Sequence, residues 1–213
     1  MRNKIFMGLG VFLGILAIFA IFVAMQPDEY IVERSTTVAA PPDVVFSHVN
    51  DLHKWEAWSP WLKLDPQLTK TYEGSEAGEG AKFHWAGNSD VGEGDMSIVE
   101  SRSPEHVKLD LRFIKPFEGK ADTHFHFVPV ENGTKVTWRM EGKNNFFGKL
   151  VGLFMDMDKM IGDKYDEGLA EIKKIVEAEI PIGLAPPESP PAEQATPPAE
   201  PSTDVAPPAE PNS

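Results

Sequence analysis

The residues with the clearest potential for chemistry are histidines. His124 and His126 are two residues apart, and on a β-strand this spacing puts both imidazoles on one face. Imidazole nitrogen is a preferred ligand of zinc, and His84, on another predicted strand, could supply a third ligand. However, alternation places Phe125 and Phe127 on the opposite, core-facing side, so the two histidines are expected to face solvent. We therefore predict no metal site.

The other residues with chemical potential lie near the C-terminal end. Asp156, Asp158, Asp163 and Asp166 are spread around a predicted helix rather than along one face, which favours a solvated flank over an acid–base pair. Tyr165 is the polar-tipped side chain on the apolar face of that helix that could serve a reaction inside the fold. The sequence contains no nucleophile motif, phosphate-binding loop or dinucleotide fingerprint. We predict no catalytic residue and no cofactor.

The elements that must position these residues fall into three zones of different composition. Residues 1–27 contain an uncharged apolar stretch over 5–25, which at about 1.5 Å per helical residue is long enough to cross a bilayer. Arg2 and Lys4 precede this stretch. The positive-inside rule then predicts a single-pass membrane protein with a cytoplasmic N-terminus and an extracytoplasmic domain, either periplasmic or on the cell surface. A cleaved signal peptide is the alternative.

Residues 181–213 form the zone at the other end of the chain. Eleven of these 33 residues are proline, and the sequence PPAE occurs three times. Proline removes backbone donors, and the segment offers few large apolar side chains to bury, so a disordered, partly polyproline-like tail is predicted. Whether the tail acts as a spacer, a docking peptide or only a solvated extension is left open.

The middle zone, residues 28–180, carries 18 basic and 28 acidic side chains, a net charge of −10. Nucleic-acid binding is disfavoured, because the zone has no basic stripe that could release phosphate counterions. The chain has no cysteine, which excludes disulfides, thiolate catalysis and a lipoprotein acylation site. The expected partners are therefore neutral or apolar.

Apolar periodicity in the middle zone indicates an α+β fold. A first strand is followed by a short helix near Pro42, and six further segments alternate apolar and polar residues as antiparallel strands do. Asn132 and Gly133 form a strong hairpin signal between the last two of these segments. From Asn144 onward, apolar residues at spacings of three and four predict one long amphipathic terminal helix.

This order of elements, with the segments 38–61, 80–87, 92–94 and 132–138, resembles the START-like or SRPBCC superfamily, which includes polyketide cyclase/dehydrase and lipid-transport domains. The resemblance implies a helix-grip fold, in which a curved antiparallel sheet wraps around the long C-terminal helix. It also implies a hydrophobic cavity between sheet and helix. It specifies the fold far better than the function, because this fold carries many different functions.

Alternation along the strands and periodicity along the helix predict which side chains would line such a cavity. The candidate ligand-binding residues are Trp58, Phe83, Trp85, Met96, Leu109, Leu111, Phe113, Phe125, Phe127, Trp138, Phe154, Met157, Ile161 and Tyr165. Flexible methionine side chains in this group could repack around ligands of different shape. Packing into a ligand-free core is the competing explanation for each residue, including Trp58 in the tryptophan-rich segment 55–61.

Three functions are compatible with these features. The first is a membrane-anchored, non-catalytic domain that binds a lipid or other hydrophobic small molecule, since each methylene removed from water contributes about 0.8 kcal/mol. The second is a cyclase-like or hydrolase-like enzyme that acts on a hydrophobic substrate in the same cavity. The third is a ligand-free interaction module whose interior is filled by its own side chains. We predict the first, and leave the ligand and the oligomeric state open.

Overall fold

The computed structural model describes residues 2–179. Its helices and strands, in chain order, are α1 (Arg2–Ala24), β1 (Glu29–Val38), α2 (Pro42–Val49), α3 (Trp55–Trp58), β2 (Thr69–Gly74), β3 (Ala81–Ala86), β4 (Glu93–Arg102), β5 (His106–Lys115), β6 (Gly119–Val130), β7 (Gly133–Lys143), α4 (Phe146–Gly152) and α5 (Met157–Glu179). Short 3-10 turns at Leu52–Lys54 and Trp61–Lys63 flank α3. The tail predicted for 181–213 lies outside the described residues.

Seven strands form one antiparallel sheet in the order β1-β7-β6-β5-β4-β3-β2. The sheet packs on α5, whose buried face includes Tyr165, Leu169, Ile172 and Val176. These residues follow the spacing of three and four that the sequence predicts for one face of a helix. The predicted α+β helix-grip fold is confirmed.

The alternation read from the strands matches their burial. On β5, Val107 and Leu109 are completely buried, whereas Lys108 and Asp110 point away from the core. Trp55 and Trp58 on α3 belong to the same core and close it over the sheet. Each large apolar side chain buried in this way contributes about 1.5–3 kcal/mol relative to full exposure.

The sheet has two chemically different ends. At one end β1 begins beside the last residue of β7, with Glu29 opposite Lys143, and the turn between β5 and β6 lies close by. Helix α1 leads directly into this end, so we call it the α1 end. At the opposite end, the far end, lie α2 and the β6–β7 turn, which begins at Val130.

Helix α1 contains an apolar segment, Phe6–Ala24, of 19 residues, which is long and apolar enough to cross a membrane. Most of its side chains are exposed, among them Ile18 and Phe12, so the helix is not part of the protein core. A buried core helix of this length would instead be covered on all sides.

The terminal helical region is two helices, not the single helix predicted from Asn144 onward. Helix α4 starts after Asn145, whose side-chain oxygen accepts from the backbone N–H of Gly148 at 2.8 Å. Helix α5 starts after Asp156, which accepts from the backbone N–H of Lys159 at 2.9 Å. Both contacts are N-terminal caps, which begin helices. The apolar period continues across the break, and so periodicity alone did not detect it.

The hairpin between β6 and β7 requires glycine at its turn. Gly133 has φ of +130°, a conformation that side chains with a Cβ rarely adopt. A Cβ on Gly133 would also lie 2.1 Å from the backbone carbonyl oxygen of Val38 on β1. The Asn-Gly signal therefore reflects a close approach between β1 and the turn as well as the turn geometry itself.

We expect Gly133→Ala to lower the free energy of unfolding by about 1–3 kcal/mol, the usual cost of one strained backbone position. Gly152→Ala is the matched control, because nothing lies within 4 Å of a Cβ at Gly152 and alanine favours helix. Thermal unfolding of both variants, followed by circular dichroism, measures the difference. Equal midpoints for the two variants would contradict the strained geometry at Gly133.

Candidate functional site

The interior between sheet and helix is occupied at its centre by aromatic rings. Trp138 on β7 stacks on Tyr165 of α5, with ring centroids 3.9 Å apart and planes at 12°. Phe125 lies beside Trp138 at 4.8 Å, and Trp58 meets the same tryptophan edge-on at 5.5 Å. The Trp58 indole N–H donates to the backbone carbonyl of His48 at 3.2 Å, so its polar tip is also satisfied. We call Trp58, Phe125, Trp138 and Tyr165 the aromatic cluster.

The aromatic cluster contains a small polar centre. The side chain of Tyr165 is 2% exposed and lies beside those of Thr123 and Trp138. Thr123 Oγ1 and Trp138 Nε1 are buried and make no hydrogen bond to the described protein, so these groups influence one another electrostatically without being aligned as donor and acceptor. Burial raises the pKa of the Tyr165 hydroxyl. That hydroxyl therefore stays protonated and is unsuited to act as a base.

The interior is closed at the far end and opens toward the α1 end. Along β5 the inward side chains change from Val107 and Leu109, both 0% exposed, to Leu111 and Phe113, which are only partly buried. On β3 the same change separates buried Phe83 from partly buried Trp85. Helix α5 therefore covers the sheet less completely as the strands approach the α1 end.

A groove of about 520 Å³ lies at this open end. Its walls are the residues that connect α1 to β1, the start of β1, and the α4–α5 region. The lining residues are Gln26, Pro27, Glu29, Tyr30, Asn144, Gly148, Lys149, Gly152, Leu153, Phe154, Met155, Asp156 and Met157. Burial raises the pKa of Tyr30, and Tyr30 also acts electrostatically on Tyr165. Tyr30 lines the groove and also packs against the buried core.

Large apolar side chains are exposed around the groove. Phe154, in the link between α4 and α5, is 77% exposed, and Met155 next to it is also exposed. Phe146 and Phe147 on α4 are exposed, and Phe147 packs at 4.7 Å on Phe117 from the β5–β6 turn. Contiguous exposed apolar side chains of this kind mark a binding or membrane-facing surface.

The last turn of α1 is attached to the wall of the groove. Lys149 on α4 donates to the backbone carbonyl of Ala24 at 3.0 Å and forms an ion pair with Asp28. The Lys149 side chain is 9% exposed, and Val23 is completely buried. The Lys149 contact lowers the pKa of the Asp28 carboxyl. Lysine at the end of a helix also complements the negative end of the helix dipole.

The structure divides the predicted cavity-lining residues into three groups. The residues in the buried core are Trp58, Phe83, Met96, Leu109, Phe125, Phe127, Trp138 and Tyr165. The partly buried residues packed against it are Trp85, Leu111, Phe113 and Ile161. Met157 and Phe154 line the groove instead, and Phe154 points to solvent because it lies in the link between the two helices.

Sequence reasoning missed several residues of the groove. Tyr30 and Lys149 were not singled out, nor were Phe117, Phe146 and Phe147. A usable signal was present, because the pair Phe146-Phe147 follows Asn145, a residue typical of helix N-caps, and thus falls on the first turn of a helix. The sequence did not reveal the break between α4 and α5. Because of this break, Phe146 and Phe147 lie at the surface and not in the core.

A second hollow, of about 570 Å³, lies on the outer face of β2, β3 and β4. Its lining is mainly polar: Thr71, Glu73, Lys82, Phe83, His84, Asp95, Met96 and Ser97. It is separated from the aromatic cluster by the sheet itself. Its polarity makes it a poor site for an apolar ligand, which favours the groove at the α1 end.

The histidines are arranged differently from the sequence expectation in one respect. His124 and His126 lie on the outer face of β6, as alternation predicted. His84 does not join them, because β4 and β5 stand between β3 and β6, and its ring nitrogen instead contacts Asp95 at 2.8 Å. The third histidine is His106, which lies directly opposite His126 on β5. In the β5–β6 hairpin, residues at equal distances in sequence from Pro116 are paired, and His106 and His126 are each ten residues from it.

The four carboxylates of the predicted flank pair with basic side chains or cap α5. Asp158 and Asp166 pair with Arg34 of β1, at 2.9 and 3.4 Å, while Asp163 pairs with Lys159. Asp156 caps the helix. Asp158 and Asp166 therefore lie on the same side of α5 and share one guanidinium, contrary to the expected spread. Each binds Arg34 rather than the other carboxylate, so they do not form an acid–base pair.

Fold and groove together define a helix-grip protein with an apolar interior open at one end. The chain belongs to the polyketide cyclase/dehydrase and lipid transport family, which it matches over residues 30–177. The match covers the whole sheet from Tyr30 and extends to the last turn of α5. None of the curated proteins matches the chain.

Solved structures share the fold at low sequence identity. The chain superposes on protein CV1439 from Chromobacterium violaceum with a TM-score of 0.52 and 15% identity, covering 69% of this chain and 96% of that one. For protein MLL2253 from Mesorhizobium loti the TM-score is 0.54 at 11% identity, over 71% and 100% of the two chains. A protein of unknown function from Staphylococcus aureus gives 0.53 and 14%, over 72% and 96%. At such identities the likeness concerns the fold alone.

Trp58→Ala should lower the free energy of unfolding by about 3–5 kcal/mol, the range for truncating a buried tryptophan. Trp58 is fully buried against Phe125 and Trp138, whereas Trp61 is only partly buried, so Trp61→Ala should cost clearly less. Chemical denaturation followed by far-ultraviolet circular dichroism measures both. A loss below about 1 kcal/mol for Trp58→Ala would show that its packing is not essential to the fold.

Proposed function

We propose that this chain is a membrane-anchored, non-catalytic protein that binds a lipid or other hydrophobic small molecule. In this proposal residues 1–27 are the anchor, 28–180 form the extracytoplasmic binding domain and 181–213 form a solvated tail. The ligand occupies the groove at the α1 end and extends toward the partly buried side chains of the inner sheet face. Members of a family described by lipid transport and cyclisation handle hydrophobic molecules, which supports this ligand class.

The observation that carries the proposal is the coincidence of three features at one end of the fold. Leu111 and Phe113 on the inner sheet face are only partly buried at this end, and the groove of about 520 Å³ lies at the same end of the fold. Exposed Phe154 lines the groove, and exposed Phe147 lies on α4, which forms one of its walls. A hydrocarbon chain entering at this end would exchange water for apolar surface, which contributes about 0.8 kcal/mol for each buried methylene.

The position of α1 supports a membrane source for the ligand. Four residues, 25–28, separate the end of α1 from the start of β1, so a bilayer spanned by α1 lies next to the groove. The last turn of α1 is docked on the domain through buried Val23 and through Lys149. A cleaved signal peptide would leave this docking surface uncovered, which favours an uncleaved anchor.

Tight packing of the aromatic cluster favours a second candidate, a ligand-free interaction module. Trp138 and Tyr165 are stacked at 3.9 Å, and the rings of Trp58 and Phe125 fill the adjacent space. In that case the groove would be a surface feature with no occupant. A cyclase-like or hydrolase-like activity has weaker support, namely the polar centre formed by Tyr165, Thr123 and Trp138.

The binding proposal predicts that the full chain, extracted in mild detergent, carries a lipid-sized adduct in native mass spectrometry and takes up a fluorescent fatty acid. Phe154→Asp should weaken uptake of the probe at least tenfold, because it places a charge in the wall of the groove. Val128→Asp is the matched control, since Val128 is also an exposed apolar side chain but lies on the outer face of β6.

A bare mass with no probe uptake would support the interaction module instead. Equal loss of uptake in Phe154→Asp and Val128→Asp would place the probe outside the groove. Under the enzymatic alternative, the wild-type protein would convert its co-purified compound and Tyr165→Phe would not, while both remain folded.

An uncleaved anchor can be tested by measuring the mass of the mature protein. Protein recovered from the membrane fraction should have the intact mass of the full chain, including α1, and the domain should be digested by protease added to spheroplasts. The topology follows from Arg2 and Lys4 on the N-terminal side of the apolar segment. A mature N-terminus at or after Met25 would instead identify α1 as a signal peptide.

A further inference from the structure

Half of the six histidines of the chain meet at one point on the outer face of the sheet. His106 on β5 lies opposite His126 on β6, and His124 precedes His126 by two residues on the same face. The other three histidines each contact a carboxylate: His48 with Glu179, His53 with Asp51 and His84 with Asp95. His106, His124 and His126, which we call the histidine cluster, also contact one another through their rings.

The spacing of the cluster suits a metal ion. One nitrogen from each ring lies within 4.8 Å of the others, and His106 Nε2 is 3.1 Å from His124 Nδ1. Two imidazole ligands on tetrahedral zinc, with Zn–N bonds of about 2.0–2.1 Å, bring their nitrogens about 3.3 Å apart. Replacing the proton shared by His106 and His124 with a metal ion therefore needs almost no change in their separation.

The three imidazoles of the cluster differ in their exposure to solvent. His106 is 5% exposed, although it lies on the outer face, because neighbouring side chains cover it. His126 is exposed and leaves the site open to solvent.

Carboxylates lie next to buried His106 and partly buried His124. Glu100 Oε1 lies 3.5 Å from His106 Nδ1, and Glu141 Oε1 lies 3.9 Å from His124 Nε2. In the free protein Arg102 donates to His106 Nδ1 at 3.2 Å, so Nε2 carries the proton. A metal on Nε2 moves the proton to Nδ1, so Arg102 gives up its contact there and Glu100 becomes the acceptor of the Nδ1 proton, while Arg102 remains paired with Glu100. Carboxylates in this position orient metal-bound histidines and increase their basicity.

We propose that His106, His124 and His126 form a binding site for a divalent transition-metal ion, of which zinc is the best match. Three nitrogen ligands leave the fourth tetrahedral position to water. The three rings are nearly parallel, with planes 3–24° apart, so exposed His126 turns about its side-chain bonds to complete the site. The site lies on the face of the sheet opposite the groove, and it does not depend on the hydrophobic-ligand proposal.

The test uses the full chain in detergent, purified without a polyhistidine tag and stripped with chelator. Calorimetric titration with Zn²⁺ should give one ion per chain, and Co²⁺ should give the intense visible absorption of a tetrahedral site. His126→Asn and His106→Gln should each weaken Zn²⁺ binding at least tenfold. Glu100→Gln should weaken it about tenfold or more, as loss of a supporting carboxylate does.

Two controls make the assignment specific. His53→Asn removes a histidine outside the cluster and should leave Zn²⁺ affinity unchanged. Asp122→Asn tests a neighbouring arrangement of Asp122, His124 and Glu141, whose ligand atoms are also within 4.8 Å of one another. If Asp122→Asn abolishes binding and His106→Gln does not, the proposal is overturned. The same holds if the wild-type chain binds no stoichiometric Zn²⁺, or if His53→Asn causes an equal loss.

Discussion

The attachment of α5 to the sheet is the constraint on which the rest of the structure depends. In its middle the helix is held by the stack of Tyr165 on Trp138, and toward the far end by Leu169, Ile172 and Val176, all fully buried. An aromatic pair adds about 0.5–1.5 kcal/mol beyond its burial. These contacts between α5 and the sheet are apolar, so their strength does not depend on salt or pH.

The first turns of α5 are held by a different kind of contact. Arg34 of β1 pairs with Asp158 and Asp166, and Gly162 makes room for it, since a Cβ there would lie 2.0 Å from Arg34 Nη2. Solvent screens ion pairs of this kind, so they hold the helix more weakly than the buried apolar contacts do. Helix α5 is therefore held firmly at the far end and weakly at the α1 end, where the groove lies.

The sequence predicted most of this architecture because the sheet obeys a period of two and α5 a period near 3.6. Val107, Leu109, Phe125 and Phe127 were placed correctly on the inner face by alternation alone. The break before Met157 was not predicted, because a cap such as Asp156 depends on one hydrogen bond and leaves the apolar period intact. Because of this break, Phe154 lies at the surface and not in the predicted interior. There it forms part of the wall of the groove.

The order of the strands in the sheet and their register were also not predicted from the sequence. Alternation assigns a residue to a face, but only the register of β5 against β6 brings His106 to His126 while leaving His84 two strands away. With this register, β5 and β6 carry apolar and aromatic side chains on their inner face and histidines on their outer face. Phe125 lies in the aromatic cluster on the inner face, and its neighbours His124 and His126 lie in the histidine cluster outside. An ion bound outside would cross-link β5 to β6 directly beneath Phe125 and Val107, and would thereby stiffen the part of the sheet against which α5 is packed.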